Sequence, residues 1–197
     1  MRYPLKLGLA LGCALLMVGA AAAASWSSEK VLMGDAYIDK YAEDDNFGTE
    51  EILWVSSEGG EPVRESWLYF DTNSIKEALG IESSDEVASA TLKIYAKEVE
   101  APGEVELHFY YEGFFEDTVV WDGKPEYDDE VDGVEEIDGS GWYEFDATSI
   151  VKKAIDECPD CPFSMVLVAA DDASIGFASK EDSDGNVPVL TVVTSDH

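Results

Sequence analysis

The chain has 197 residues, with 43 acidic against 12 basic side chains and a formal net charge of −31 at pH 7. Such a charge repels nucleic acids and anionic membranes, so neither is an expected partner. The hydrophobic content of 46%, with 11% aromatic residues, excludes a disordered chain and predicts a folded domain with an acidic surface.

The first 24 residues have the three parts of a secretory signal peptide. Arg2 and Lys6 supply the positive region, residues 7–18 are apolar, and a run of small residues ends at Ala24. The apolar stretch is short for a membrane span, and no later segment approaches that length. We therefore expect export, removal of residues 1–24, and one mature domain over residues 25–197 at the cell surface or outside the cell.

The mature sequence alternates between apolar and polar residues with a period of two, which is typical of β-strands. Strands are predicted around 36–38, 52–56, 66–70, 92–97, 105–111, 141–145, 164–169, 175–178 and 189–193. Pro102 and Gly103 predict a tight hairpin turn that sets Tyr95 opposite Tyr110. Residues 126–139 are interpreted as an acidic loop.

Two short helices are predicted at residues 74–79 and 148–157. Each follows a Phe-Asp pair and then a Thr and a Ser, whose oxygens can cap the first turn. Many short strands, turn signals between them and two brief helices predict an all-β fold: a jelly-roll-like antiparallel β-sandwich with two short helices.

Two acidic clusters, residues 44–46 and 181–186, are candidate calcium sites. Calcium takes six to eight oxygen ligands, which loops at the end of a sandwich can supply. The candidate ligands are Asp44, Asp45, Asn46, Asp182 and Asp184. Neither cluster has the spacing of an EF-hand, and a plain solvated turn is the alternative for each. The Asn46-Phe47-Gly48 triplet marks a bend between two strands.

The sequence predicts no catalytic machinery. With 43 acidic residues, a pair of carboxylates at glycosidase spacing is expected by chance, so that spacing carries no information. The two histidines are His108, on a strand face expected to be exposed, and His197. Neither belongs to a metalloprotease motif, and the chain has no G-x-S-x-G nucleophile motif.

Alternation along the strands predicts an aromatic surface. If Leu68 and Phe70 face the core, the preceding Trp67 and the intervening Tyr69 face outward. The predicted outward aromatic residues are Trp54, Trp67, Tyr69, Tyr95 and Tyr110. Such rings can stack on a sugar or bind a partner protein. The alternative is that a second layer, a helix or a neighbouring subunit covers them.

The mature chain has two cysteines, Cys158 and Cys161, separated by Pro159 and Asp160. In an exported protein a local disulfide is the favoured reading, and a bridge between subunits is the alternative. A thioredoxin-like redox role is disfavoured because the surrounding pattern is not βαβ.

Short phrases of the sequence occur in an order that resembles a known family. They are residues 35–38, 46–48 with 53–55, 66–71, 88–95, 115–121, 141–146, 177–181 and 188–192. Together they cover nearly the whole mature chain and resemble the disaggregatase-related (DNRLRE) domain, carbohydrate-binding module family 96. The resemblance implies a jelly-roll-like sandwich, an accessory role in extracellular proteins and no catalysis. It also places Trp121, Trp142 and Phe145 in the core.

Two hypotheses of function follow. The first is a secreted, non-catalytic module of the cell envelope that binds extracellular polysaccharide. The second is a structural subunit that assembles with identical copies into a sheath, surface layer or filament. Export, outward aromatic residues and a bridge between subunits through the two cysteines are all compatible with the second hypothesis.

Overall fold

The computed structural model describes residues 23–27, 32–157 and 160–195. Apart from its last two residues, the predicted signal peptide lies outside the described residues. The strands are β1 Ser25–Ser27, β2 Gly34–Asp39, β3 Ile52–Glu58, β4 Glu61–Asp71, β5 Val87–Ala101, β6 Gly103–Tyr110, β7 Gly133–Ile137, β8 Gly141–Asp146, β9 Pro162–Ala169, β10 Ser174–Ala178 and β11 Val189–Thr194. The helices are α1 Thr72–Leu79 and α2 Thr148–Glu157, with a 3₁₀ turn at Ser84–Glu86.

All described strands belong to one antiparallel sheet that curls into a sandwich-like body. The order is β1-β11-β5-β10-β3-β4-β9-β6-β7, with β2 also paired to β4 and β8 to β5. The two longest strands change partners along their length: β4 pairs first with β3 and then with β2, and β5 pairs with β11 and then with β10. The predicted all-β, jelly-roll-like sandwich is confirmed.

The main core lies inside the curled sheet and follows the predicted alternation. Leu68 and Phe70 of β4 are fully buried there, together with Met165 and Leu167 of β9. Strand β9 lies between β4 and β6, and both of its faces are covered, which explains its continuously apolar sequence. Helix α1 begins two residues earlier than predicted, at Thr72, because Asp71 caps it by accepting a hydrogen bond of 3.0 Å from the Ser74 backbone amide.

A second apolar cluster lies on the outer face of β2, β4, β6 and β9. It is closed by residues 112–132, which follow β6 and which we call the covering segment. Phe114 and Val119 from this segment pack with Trp67, and Tyr127 packs edge-on against the same indole at 5.9 Å between ring centroids. Lys124 and Tyr127 also bind the buried carboxylate of Glu65 on β4. One face of the sandwich therefore carries an additional layer.

Two local expectations are wrong. Strands β5 and β6 do not form a hairpin: β5 pairs with β8, β10 and β11, whereas β6 pairs with β7 and β9, so Tyr95 and Tyr110 lie on different strand pairs. The acidic stretch at 126–139 is not a loop throughout, since it contains β7, whose Ile137 is buried in the main core. Within the described residues, neither helix is long and apolar enough to cross a membrane.

Candidate functional site

Trp67 and Tyr110 are not part of an exposed surface, contrary to the prediction from alternation. Trp67 does point away from the main core, but its side chain is 0% exposed and Tyr110 is only 8% exposed. The two rings pack edge-on at 5.6 Å beneath the covering segment. The alternative interpretation is correct for these two residues, because a second layer covers them. His108, also expected on an exposed face, is buried against Tyr127 for the same reason.

Tyr69 borders a shallow groove at the end of the same layer. It packs against Phe114 at 5.6 Å and remains half-buried. The groove encloses about 460 Å³ and is also lined by Phe115, Cys161 and Pro162. Phe115 is 81% exposed. This groove is one of two candidate binding places, because aromatic rings reach solvent here from neighbouring positions.

The other place is the outer face of the opposite layer, where Tyr95 and Trp142 form an aromatic pair. They sit opposite each other on β5 and β8, with ring centroids 5.3 Å apart and an interplanar angle of 66°. Trp142 is 43% exposed, so the expectation that it is a core residue is wrong. Tyr95 is half-buried and points outward as predicted. Phe145, the inward residue of β8, is fully buried as expected.

Polar and charged groups surround the aromatic pair. The Lys93 ammonium lies 5.0 Å from the centroid of the Trp142 ring, within the range of a cation–π contact. Lys93 is opposite Glu144 in the strand register, so both charges are on the face that carries the aromatic pair. The Ser140 hydroxyl donates to the Tyr95 hydroxyl at 3.3 Å. A flat ring beside hydrogen-bonding groups is the combination that binds a sugar.

Trp54 and Trp121 are half-buried and contribute less surface. Trp54 lies on β3, where the Arg64 guanidinium is 5.6 Å from its ring, and it is opposite Gly176 of β10. Trp121 was expected in the core; it packs partly against the second cluster, with the Lys124 ammonium 4.2 Å from its ring. Neither ring contacts the aromatic pair.

The acidic bend after β2 does not gather its side chains around a common point. Asp44 and Asp45 are exposed. Asn46 has a structural role, because its side-chain amide donates 2.8 Å hydrogen bonds to the backbone oxygens of Glu116 and Val119. The bend predicted at residues 46–48 therefore anchors the covering segment.

Asp182 is held by a lysine. Its buried carboxylate binds the Lys97 ammonium and accepts a 2.9 Å hydrogen bond from the Asn186 backbone amide. Burial alone would raise the pKa of Asp182, but the hydrogen bonds from Lys97 and Asn186 hold that pKa below its usual value. Asp184 is mostly exposed and lies 3.6 Å from the same ammonium.

A different set of acids does converge, and sequence reasoning missed it. Among the described residues, one group of three carboxylates brings ligand oxygens within 4.8 Å of one another: Asp35, Glu116 and Glu181, here called the carboxylate cluster. Asp35 is 1% exposed, and burial raises its pKa to about 8, with the Glu181 charge acting in the same direction. All three residues lie in family phrases, but their sequence separation gives no sign of contact.

The predicted disulfide is described at one of its two cysteines. Cys161 is disulfide-bonded, and its predicted partner Cys158 lies outside the described residues. Cys161 borders the groove beside Tyr69, so the bond is at the edge of that apolar surface.

Comparison with known proteins places the chain in a family. The family model for carbohydrate-binding module family 96 matches residues 27–194, which include every described strand from β2 to β11. A search of the curated proteins finds no match. The matched span covers most of the sequence and coincides with the sandwich-like body. The chain belongs to carbohydrate-binding module family 96.

Proposed function

We propose that this chain is an exported, non-catalytic module that binds an extracellular polysaccharide by stacking a sugar ring on Trp142, with Tyr95 beside it. The observation that carries the proposal is the exposure of Trp142. The chain has five tryptophans, all within the described ranges, and Trp142 is the one classed as exposed. An exposed indole beside a second aromatic ring forms a flat apolar surface that a sugar ring can cover, which supports this site.

The position of the aromatic pair suits a polymer. Strand β8 pairs only with β5 among the described strands, and β7 lies beside its other edge without pairing. Trp142 is on the outer face of β8, and a polysaccharide chain can run across such a face without entering a pocket. Lys93 and Glu144, which are opposite each other at the neighbouring register position, offer hydrogen bonds to ring hydroxyls.

Substitution of the exposed rings tests this site. The mature protein would be screened by affinity electrophoresis against a panel of soluble polysaccharides, and the retained polymer used for titration calorimetry. Trp142→Ala is expected to weaken binding about fivefold, because a sugar–aromatic contact contributes on the order of 1 kcal/mol. The matched control is Phe115→Ala, which removes an 81% exposed ring from the rival groove and should leave the affinity unchanged.

The reverse outcome has a definite meaning. If Phe115→Ala abolishes binding while Trp142→Ala does not, the ligand occupies the groove beside Tyr69 and the proposed site is wrong.

The absence of new reducing ends after prolonged incubation with the retained polymer is the result expected of a non-catalytic module. Secretion in a bacterial host followed by N-terminal sequencing should find Ser25 as the first residue, and a mature protein starting at Met1 would contradict export.

Assembly with identical copies remains the second candidate. The end of the sheet at β1 favours it, because β1 pairs only with β11 among the described strands and an unpaired strand edge can add a strand from another chain. Light scattering of the mature protein, with and without reductant, separates the two roles. A monomer that binds polysaccharide supports the first, and ordered polymers that exclude polysaccharide support the second.

A further inference from the structure

We propose that the carboxylate cluster of Asp35, Glu116 and Glu181 is a calcium-binding site that fastens β2, the covering segment and the loop after β10 to one another. This site is separate from the aromatic pair and does not depend on the carbohydrate proposal. Of its three acids, only Glu181 belongs to a cluster that the sequence singled out for calcium, residues 181–186.

The distances within the cluster suit a hard cation. Calcium–oxygen distances of about 2.3–2.6 Å allow two ligands on opposite sides of one ion to be about 4.6–5.2 Å apart. The ligand oxygens of the three carboxylates lie within 4.8 Å of one another. All are oxygens, which calcium prefers, and calcium tolerates irregular ligand sets that magnesium does not.

Two buried oxygens in the cluster lack a partner, which separates it from an ordinary acidic surface. Asp35 is 99% buried, and its Oδ1 meets no hydrogen-bond donor among the described atoms. Glu181 Oε2 is buried and unpaired as well. A buried carboxylate oxygen without a donor or cation is strongly disfavoured, so a bound cation would satisfy both atoms at once.

The chain holds these side chains in place before any ion binds. Asp35 is oriented by two backbone contacts: its Oδ2 accepts a 2.7 Å hydrogen bond from the Lys180 amide, and its own amide donates to Glu116 Oε1 at 2.7 Å. A Cβ at Gly48 would lie 2.1 Å from the Glu116 backbone oxygen, so only glycine allows this approach. The Ser179 hydroxyl, which accepts from the Glu181 amide at 3.1 Å, donates to the Glu50 backbone oxygen at 2.7 Å.

Lys180 supplies one positive charge to the cluster but does not complete it. Its ammonium is 3.0 Å from Glu116 Oε1 and contacts Glu181 Oε1, whereas its charge acts on Asp35 without forming an ion pair with it. One ammonium faces three carboxyl groups, so a divalent ion brings the group to neutrality if all three are ionised. The Lys180 side chain is 27% exposed and can turn its ammonium toward solvent when an ion enters.

Titration of the mature, chelator-stripped protein with calcium chloride tests the site. Calorimetry should detect one saturable site, tighter than about 1 mM, the weak limit for calcium sites in extracellular modules. At calcium one hundredfold above the Kd, the Tm should rise by about 5–10 °C. Glu181→Gln and Glu116→Gln keep the side-chain shape, remove one charge each, and should weaken binding about tenfold or more.

Two further variants make the test specific. Asp44→Asn removes an exposed acid that lies outside the cluster and should leave the calcium affinity unchanged. Lys180→Met removes the competing positive charge and should tighten binding about tenfold. Circular dichroism of each variant, recorded before titration, verifies that the fold is intact.

Three results would overturn the proposal. The first is that calorimetry detects no heat and the Tm does not change up to about 1 mM calcium. That result would mean that Lys180 and a proton shared by Asp35 and Glu181 stabilise the carboxylate cluster without calcium. The second is an equal loss of affinity in Asp44→Asn and Glu181→Gln, which is the signature of diffuse screening. The third is an equal response to magnesium at the same concentration.

Discussion

Replacing Trp67 by alanine should destabilise the protein strongly, although strand alternation places this residue on the outward face of β4. The side chain is 0% exposed because the covering segment packs over it. Tyr110, Phe114 and Tyr127 contact the indole edge-on, with ring centroids 5.6, 6.1 and 5.9 Å from it. Truncation would leave a cavity beneath these three rings, and the surrounding side chains would fill that cavity only in part.

The magnitude follows from the buried area and one compensating term. A tryptophan buries roughly 200 Å², which corresponds to about 5 kcal/mol at ~25 cal/mol per Å². Part of this is retained by the alanine, and removal of the indole Nε1–H, which is buried without a partner, relieves about 1 kcal/mol. The net loss is about 3–4 kcal/mol of unfolding free energy, or a fall in Tm of roughly 6–16 °C for a domain of this size.

Urea unfolding followed by tryptophan fluorescence and circular dichroism measures the loss. Trp67→Phe removes the unpaired N–H while filling most of the space, so its cost should be about 1–2 kcal/mol. Phe115→Ala is the control within the same segment, since an 81% exposed ring should change stability by about 0.5 kcal/mol or less. A Trp67→Ala protein as stable as the Phe115→Ala protein would refute the burial of the outer face of β4.

Three other substitutions probe separate features. Gly48→Ala should lower stability by about 2 kcal/mol or more, because its Cβ would lie 2.1 Å from a backbone oxygen, whereas Gly139→Ala meets nothing within 4 Å and should be neutral by thermal melting. Lys97→Met should cost about 3 kcal/mol at pH 7 by leaving the carboxylate of Asp182 buried without its cation. The pKa of Asp182 is lowered in the folded protein, so its contribution to stability is present above the unfolded pKa of about 3.9 and is lost as the pH falls through the folded pKa. The stability difference between Lys97→Met and the parent protein should therefore shrink in melts at acidic pH. A stability difference that persists at acidic pH would contradict the ion pair. Asp71→Ala removes the N-cap of α1 and should cost about 1 kcal/mol in urea titrations, an unchanged midpoint being the contrary result.

Local patterning determined most of the fold. Alternation in residues 66–70 assigned the core-facing Leu68 and Phe70 of β4 correctly, and the capping phrases predicted α2 at residues 148–157, as observed. These features depend on contacts between near neighbours or on a period imposed by the strand itself. The order of the phrases also identified the family. The strand β7 was missed because its one buried residue, Ile137, stands among acids.

Long-range packing decided the rest. Alternation divides a strand into two faces but does not reveal whether another layer covers the outer one, so Trp67 was expected in solvent. The core position expected for Trp142 came from the family resemblance, and its exposed indole contradicts that expectation. The carboxylate cluster joins residues 35, 116 and 181, which only the path of the covering segment and the loop after β10 brings together. In a chain with 43 acidic residues, sequence proximity cannot distinguish acids that converge from acids that merely face water. The strand period is a property of the backbone, whereas convergence is a property of the folded topology.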